Sequence, residues 1–174
     1  EGTYDPSLTD SIVRLANPLG AETSLLRPSL LPALLKTASN HHNHKIVDLR
    51  LFEMGKIFRR EGGVLKESRS LAGIVTGEKV DFFGLKGVLE GLAAHFGLSF
   101  DFRAGSHPFQ LPGKSAEIVL GEKPIGSMGE IHPEWMDRYK LKANTSFFEI
   151  SWDEIEGGVS GKVYSGPQSR DSQP

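Results

Sequence analysis

Four residues near the middle of the chain, Phe58-Arg59-Arg60-Glu61, carry the strongest chemical suggestion in the sequence. They close an apolar run, LRLFEMGKIFRREGG (49–63), that ends on Gly62-Gly63. On an extended chain Arg59 and Glu61 project from one face, because side chains alternate with a period of two. Arginine offers a planar fork of donors that stays charged at any working pH and suits phosphate oxygens. A glutamate on the same face can orient that fork or hold a cationic group. Arg-x-Glu is also an ordinary polar strand end, and the tetrapeptide alone leaves both readings open.

Other reactive residue types have simpler structural explanations. His41, His42 and His44 gather at a helix end without the i,i+4 spacing that puts two imidazoles on one face. Asp48 is the only carboxylate beside them, so the expectation is a solvated helix C-terminus, favoured by the dipole, and no metal site. His107 and His132 each precede a proline and read as extended or turn residues, His132 shaping a helix start. No Ser-His-Asp arrangement is suggested by local spacing. Neither G-x-x-x-x-G-K-[ST] nor a G-x-G-x-x-G after a strand occurs, and GGVSGKV (157–163) has the wrong spacing for a phosphate loop. The chain has no cysteine, which excludes a disulfide framework, thiolate metal sites and Cys nucleophiles.

The elements that must position Arg59 and Glu61 follow from periodicity. A short strand over 11–20 stops at Asn17-Pro18. A helix is expected over 29–42, with Ser29 as N-cap, Pro32 in the first turn and Leu30, Leu31, Leu34, Leu35 and Ala38 on one arc. The stretch 46–60 reads as a strand apolar on both faces, with Gly55 marking a bulge or close approach. It returns antiparallel through Gly62-Gly63 into a strand over 69–77. The clearest helix is 82–97, where Phe82, Leu85, Leu89, Leu92 and Phe96 make a stripe and Gly84, Gly87 and Gly91 line the other side. Interior glycines each cost about 0.5–1 kcal/mol against alanine, so that glycine face is either a close subunit contact or a tolerant solvent face. A strand over 98–103, a hairpin over 116–131, a short helix over 132–141 and a final strand over 145–155 complete the ordered part. The remainder, 158–174, is rich in Gly, Ser and Pro and reads as a linker or disordered tail after a domain spanning 1–157.

Short turns between successive strands rule out parallel crossovers, so the expected class is α+β, a mainly antiparallel sheet flanked by helices. At 174 residues and 38% hydrophobic the chain is about one domain. A net charge of −2 gives no basic field of the kind that announces nucleic-acid binding. No apolar run is long enough to cross a membrane, and the N-terminus lacks the regions of a signal peptide, so no membrane partner and a cytoplasmic location are expected. The absence of an initiator Met suggests a piece of a longer polypeptide.

Several stretches taken in order look like one known family: VRLANPLGAETSLLRPSLLPALLKTASN, VDLRLFEMGKIFRREGG, LAGIVTGE, FFGLKGVLEGLAAHFGL, LPGKSAEIVLGEKPIGSMGEIHPE and FFEISWDEI. Together they cover about 11–155 and resemble the β subunit of bacterial phenylalanyl-tRNA synthetase, in its catalytic-like module. The resemblance implies a class II synthetase core and an α2β2 heterotetramer. In that assembly the α subunit carries ATP, phenylalanine and the adenylation chemistry, the magnesium-binding segment of the holoenzyme lies outside this piece, and this module supports α and tRNA-Phe.

The resemblance also sharpens the opening tetrapeptide. In catalytic class II cores an F-R-x-E strand supplies an arginine for the ATP α-phosphate and a glutamate that helps place the nucleotide. Phe58, Arg59 and Glu61 match by letter. The later glycine-rich strand-helix motif ending in arginine has no counterpart in 62–174, and one arginine cannot hold ATP alone. Arg59 and Glu61 are therefore expected to be a degenerate ATP-site relic, with no catalytic residue and no cofactor in this piece. The family's usual His-Pro-Gly before GKSAE is here Leu111-Pro112-Gly113, which puts any role for that histidine in doubt. Two other readings stand beside this one: a stand-alone class II paralogue that binds ATP or an amino acid, and an unrelated α+β interaction module.

Overall fold

The computed structural model describes residues 11–14, 25–105 and 109–160. Among these, a two-residue strand pair, β1 (Val13–Arg14) and β2 (Leu25–Leu26), precedes helix α1 (Leu31–Asn43). There follow β3 (Leu49–Glu61), β4 (Val64–Thr76), α2 (Phe82–His95), β5 (Phe100–Ala104), β6 (Gln110–Leu120), β7 (Lys123–Ile131), α3 (Pro133–Tyr139), β8 (Thr145–Ser151) and α4 (Trp152–Ser160). Strands β3 to β8 form one six-stranded sheet in the order β3-β4-β8-β7-β6-β5, and every neighbouring pair is antiparallel. This is the α+β architecture expected from the short turns.

The sheet carries a core on each face. On one side α1 and α3 pack their leucines and Trp135 against Ile57, Ala72, Ile74 and Phe147. On the other, Leu85, Leu89 and Ala93 of α2 and Ile155 of α4 meet Leu71, Ile118, Met128, Phe148 and Ile150. Phe147 and Phe148 are consecutive on a strand, so their rings go to opposite faces and both are buried. Pleating thus assigns each residue of the central strand β8 to one core or the other.

Local chemistry explains the element ends. Gly62 and Gly63 both adopt positive φ, +57° and +83°, and close the β3–β4 hairpin in two residues. A Cβ added to Gly55 would stand 2.3 Å from the Arg27 guanidinium, which is the close approach its interruption of β3 suggested. Asp81 caps α2 by accepting from Gly84 N at 2.7 Å. His132 caps α3, its Nδ1 accepting from Glu134 N at 3.2 Å.

Three expectations need correction. Ser29 is not the N-cap of α1; Leu30 holds that place, while Ser29 Oγ accepts from Leu31 N at 3.1 Å and donates to Glu149 Oε2 at 2.6 Å. The return strand β4 begins at Val64 rather than 69, because the hairpin ladder runs unbroken to its turn. The final strand ends at Ser151, and Trp152–Ser160, expected to be strand end and tail, is helix α4. GGVSGKV therefore starts inside a helix, and the rest of the expected tail, 161–174, lies outside the described residues, as do Asn17, Pro18 and His107.

Candidate functional site

A cavity of about 400 Å³ opens on the α1 face of the sheet and holds Arg59. Its apolar side is Leu31, Ile57, Phe109 and Phe147; its polar side is Ser29, Ser68, Ser70, Ser127, Glu149 and Arg59. The sequence builds it in three steps. Residues 27–30 cross β3 as a strap: Phe58 N donates to Arg27 O, Arg27 Nε donates to Lys56 O, each at 2.9 Å, and Arg27 Nη1 reaches Glu53 Oε1 at 2.6 Å. The strap then turns into α1, anchored by Glu149 of β8, which accepts from Ser29 Oγ at 2.6 Å and Leu30 N at 2.9 Å. Ser70 Oγ lies 3.1 Å from both Glu149 Oε1 and Ile150 O, and its single proton serves one at a time.

Arg59 is tied into the same strap, its Nε donating to Pro28 O at 2.9 Å. No hydrogen bond or ion pair occupies its two Nη groups among the described residues. Glu61 projects from the same face of β3, as the spacing of two requires, but lies beyond the cavity at the hairpin tip. There it is bridged by Lys66, and that hydrogen bond holds its carboxyl below the usual range. One parity does not make one site, because the strand carries Glu61 past the cavity's edge.

Two further cations line the cavity, and both are already neutralised from α4. Arg69 Nε meets Asp153 Oδ1 at 2.7 Å, and its Nη1 and Nη2 grip the two oxygens of Glu156 at 3.0 and 2.6 Å. The backbone N of Arg69 also donates to Asp153 Oδ2 at 2.8 Å. Lys123 pairs with Glu154 at 2.7 Å. The hydrogen bond from the Arg69 backbone, and then its guanidinium, hold Asp153 below the usual carboxylate range. The guanidinium and then the Trp152 indole do the same for Glu156, while both acids raise Arg69 further above its ordinary value. A triphosphate entering here would meet one uncommitted guanidinium against the carboxylates of Glu149 and Glu154. Among the described residues the cavity presents one anion-binding fork, that of Arg59, beside apolar walls.

Contrary to the expectation of a solvated helix end at 41–44, one of its histidines, His42, is structural. His42 is buried, with Lys142 N donating to its Nδ1 at 3.0 Å, so the neutral ring carries its proton on Nε2 and donates to Thr76 Oγ1 at 3.1 Å. Thr76 Oγ1 in turn donates a hydrogen bond to Val47 O. Among the described residues no group of three or more His, Cys, Asp or Glu is placed to hold a metal.

The sequence model described as the phenylalanyl tRNA synthetase beta chain CLM domain matches residues 5–152, the whole described sheet included. The chain belongs to that family. The beta-chain CLM match agrees with the curated relatives. The phenylalanine–tRNA ligase beta subunit of Carboxydothermus hydrogenoformans is 39% identical over 88% of this chain and 21% of its own length. That of Xanthomonas campestris pv. campestris is 37% identical over 82% and 20%, and that of Geobacter metallireducens 33% over 92% and 22%. This CLM chain thus spans about a fifth of the length of the relatives it matches. The resemblance read from the ordered motifs is borne out, and an unrelated origin is removed.

Glu149, Arg69 and the α4 acids were missed from sequence. One signal was present: Glu149 is the one charged residue of TSFFEIS, a mostly buried strand, and a carboxylate there needs partners. The partners of Arg69 lie 84 and 87 residues away, beyond any local pattern.

Proposed function

We propose that the chain is a non-catalytic, class II synthetase-like module of a phenylalanine–tRNA ligase beta subunit. In this reading the holoenzyme charges tRNA-Phe with phenylalanine using ATP and magnesium in the cytoplasm. The catalytic α subunit of an α2β2 assembly does the chemistry, and this module supports α and tRNA. The observation that carries the reading is the charge pairing around the cavity. Among the described residues, Arg59 is the cavity cation with no carboxylate partner, while Arg69 is paired with Asp153 and Glu156 and Lys123 with Glu154. Phosphoryl and adenylyl chemistry needs several cations acting together on one polyphosphate. Helix α4 supplies acids where such a site would need bases. Arg59 and Glu61 are then a relic: Arg59 props the strap at Pro28 and Glu61 pairs with Lys66.

The test is ATP–pyrophosphate exchange with this chain alone and with the α subunit added. Phenylalanine-dependent exchange is expected only when α is present. Exchange by the chain alone would refute the reading and favour a stand-alone class II paralogue.

A further inference from the structure

Helices α1 and α3 pack against each other, and the chain leaves each of them through a lysine in the left-handed region. Lys45 has φ 64° and Lys140 has φ 55°, and among the described residues these are the two non-glycines with positive φ. That conformation crowds the Cβ and persists where neighbouring bonds hold it in place.

The bonds that hold it converge on His42. Lys142 N donates to its Nδ1 at 3.0 Å, and Lys142 Nζ donates to His42 O at 3.3 Å and Asn43 Oδ1 at 3.2 Å. Lys45 N donates to the same carbonyl at 3.1 Å. The other ring nitrogen, Nε2, meets Thr76 of β4. The segment 140–144 held in this way carries Leu141, buried in the α1–α3 core, and Asn144, whose carbonyl accepts from Gly77 N at 3.0 Å.

The ring can hold the segment only while it is neutral. An imidazolium donates from both nitrogens, so its Nδ1–H would face the Lys142 N–H, donor against donor. Burial opposes the charge most, and Lys142 of the segment and His41 of the same helix repel it, while the Val47 carbonyl before β3 draws it. Asp48, the acid next to Val47, is turned to Gly77, where an added Cβ would lie 2.3 Å from its Oδ1. The remaining charged or titratable side chains of the packed segments, His44, Lys45, Glu78, Lys79 and Lys140, are exposed. The proton and the closed segment therefore exclude one another. Once 140–144 lifts away, the ring meets water and takes a proton at its ordinary pKa of about 6.5.

We propose that 140–144 is a proton-released latch: neutral His42 holds it shut against the end of α1, and uptake of one proton at Nδ1 opens it while the sheet stays folded. Opening relieves the left-handed turns at Lys45 and Lys140 and frees Gly77, at the head of the segment that leads into α2. The open form binds the proton more tightly than the closed form. The open fraction therefore grows as pH falls below about 6.5, by up to tenfold per pH unit, until the closed form titrates as well.

The test is hydrogen exchange by mass spectrometry on the complete polypeptide that carries these residues, corrected for the intrinsic effect of pH. Protection in peptides over 140–145 and 75–79 should fall severalfold, up to about tenfold, from pH 7.5 to 5.5. That exchange should barely respond to low urea, because little surface opens, whereas exchange in β8 should carry the full slope. His42→Gln supplies an acceptor for Lys142 N and a donor for Thr76 without titrating, and should abolish the pH dependence. In wild type, protection that stays flat between those pH values, or that responds to urea as β8 does, would overturn the latch, and neither readout needs a variant to fold. The same pH dependence in His42→Gln would overturn the assignment to His42.

Discussion

At the scale of the residue, the polar groups of this chain are committed to holding it together. His42 is the sharpest case. Its ring is neutral because Nδ1 accepts from Lys142 N and Nε2 donates to Thr76, and protonation would break the first of these bonds. Burial lowers its pKa, and the charges of Lys142 and His41 lower it further. A histidine whose folded pKa is depressed binds its proton more readily in the unfolded chain. The stability it contributes is then complete above the unfolded value of about 6.5 and is lost as pH falls from there toward the folded value. Thermal unfolding between pH 8 and pH 5 should show the midpoint falling below about pH 6.5. His42→Gln should start from a lower midpoint and lose that part of the slope. An unchanged slope in the variant would assign the acid sensitivity elsewhere.

At the scale of the element, α4 is held by charge at its start and by Ile155 and Trp152 against the core. Asp153 and Glu156 grip Arg69 while Ile155, between them, enters the core. Arg69→Met should speed amide exchange in 153–158 and leave β8 protected. Because both carboxyls are held below their usual range, the same helix should loosen in wild type as pH falls below about 4, through their folded values. Equal α4 protection in variant and wild type would show that the apolar contacts of Ile155 and Trp152 secure the helix without the ion pairs. The history of this element also shows what sequence can reveal. Glycine turns, helical stripes and alternating strands were legible, because each is fixed by neighbours in the chain. Helix α4 was not, because Trp152 and Ile155 follow β8 without a break and Gly157-Gly158 reads as a tail. Its acids make sense only once β4 brings Arg69 beside them. The Arg59 site was half legible for the same reason: the strand and its parity are local, whereas the strap at Pro28 and the neutralisation of Arg69 and Lys123 are long-range.

At the scale of the whole molecule, the two cores share one sheet, and β4 and β8 run through the middle of both. Cooperative unfolding follows from that geometry. Phe147 belongs to the α1–α3 core and Phe148 to the α2–α4 core, yet a single peptide bond joins them. Phe147→Ala and Phe148→Ala should each cost about 3–5 kcal/mol, the usual loss for emptying a buried aromatic site. That is a large part of the roughly 5–15 kcal/mol that stabilises a domain. Neither core can be lost while the other keeps its sheet, so both variants should shift the entire urea transition to lower concentration with an unchanged slope. Tryptophan fluorescence and far-ultraviolet circular dichroism should move together, since Trp135 sits in one core and Trp152 packs against the other. A variant in which one tryptophan reports unfolding before the sheet is lost would mean that the faces are separate units. The α2 face could then loosen without disturbing the strap around Arg59. Coincident transitions would mean that a change made on the α2 face reaches the Arg59 strap through the shared sheet.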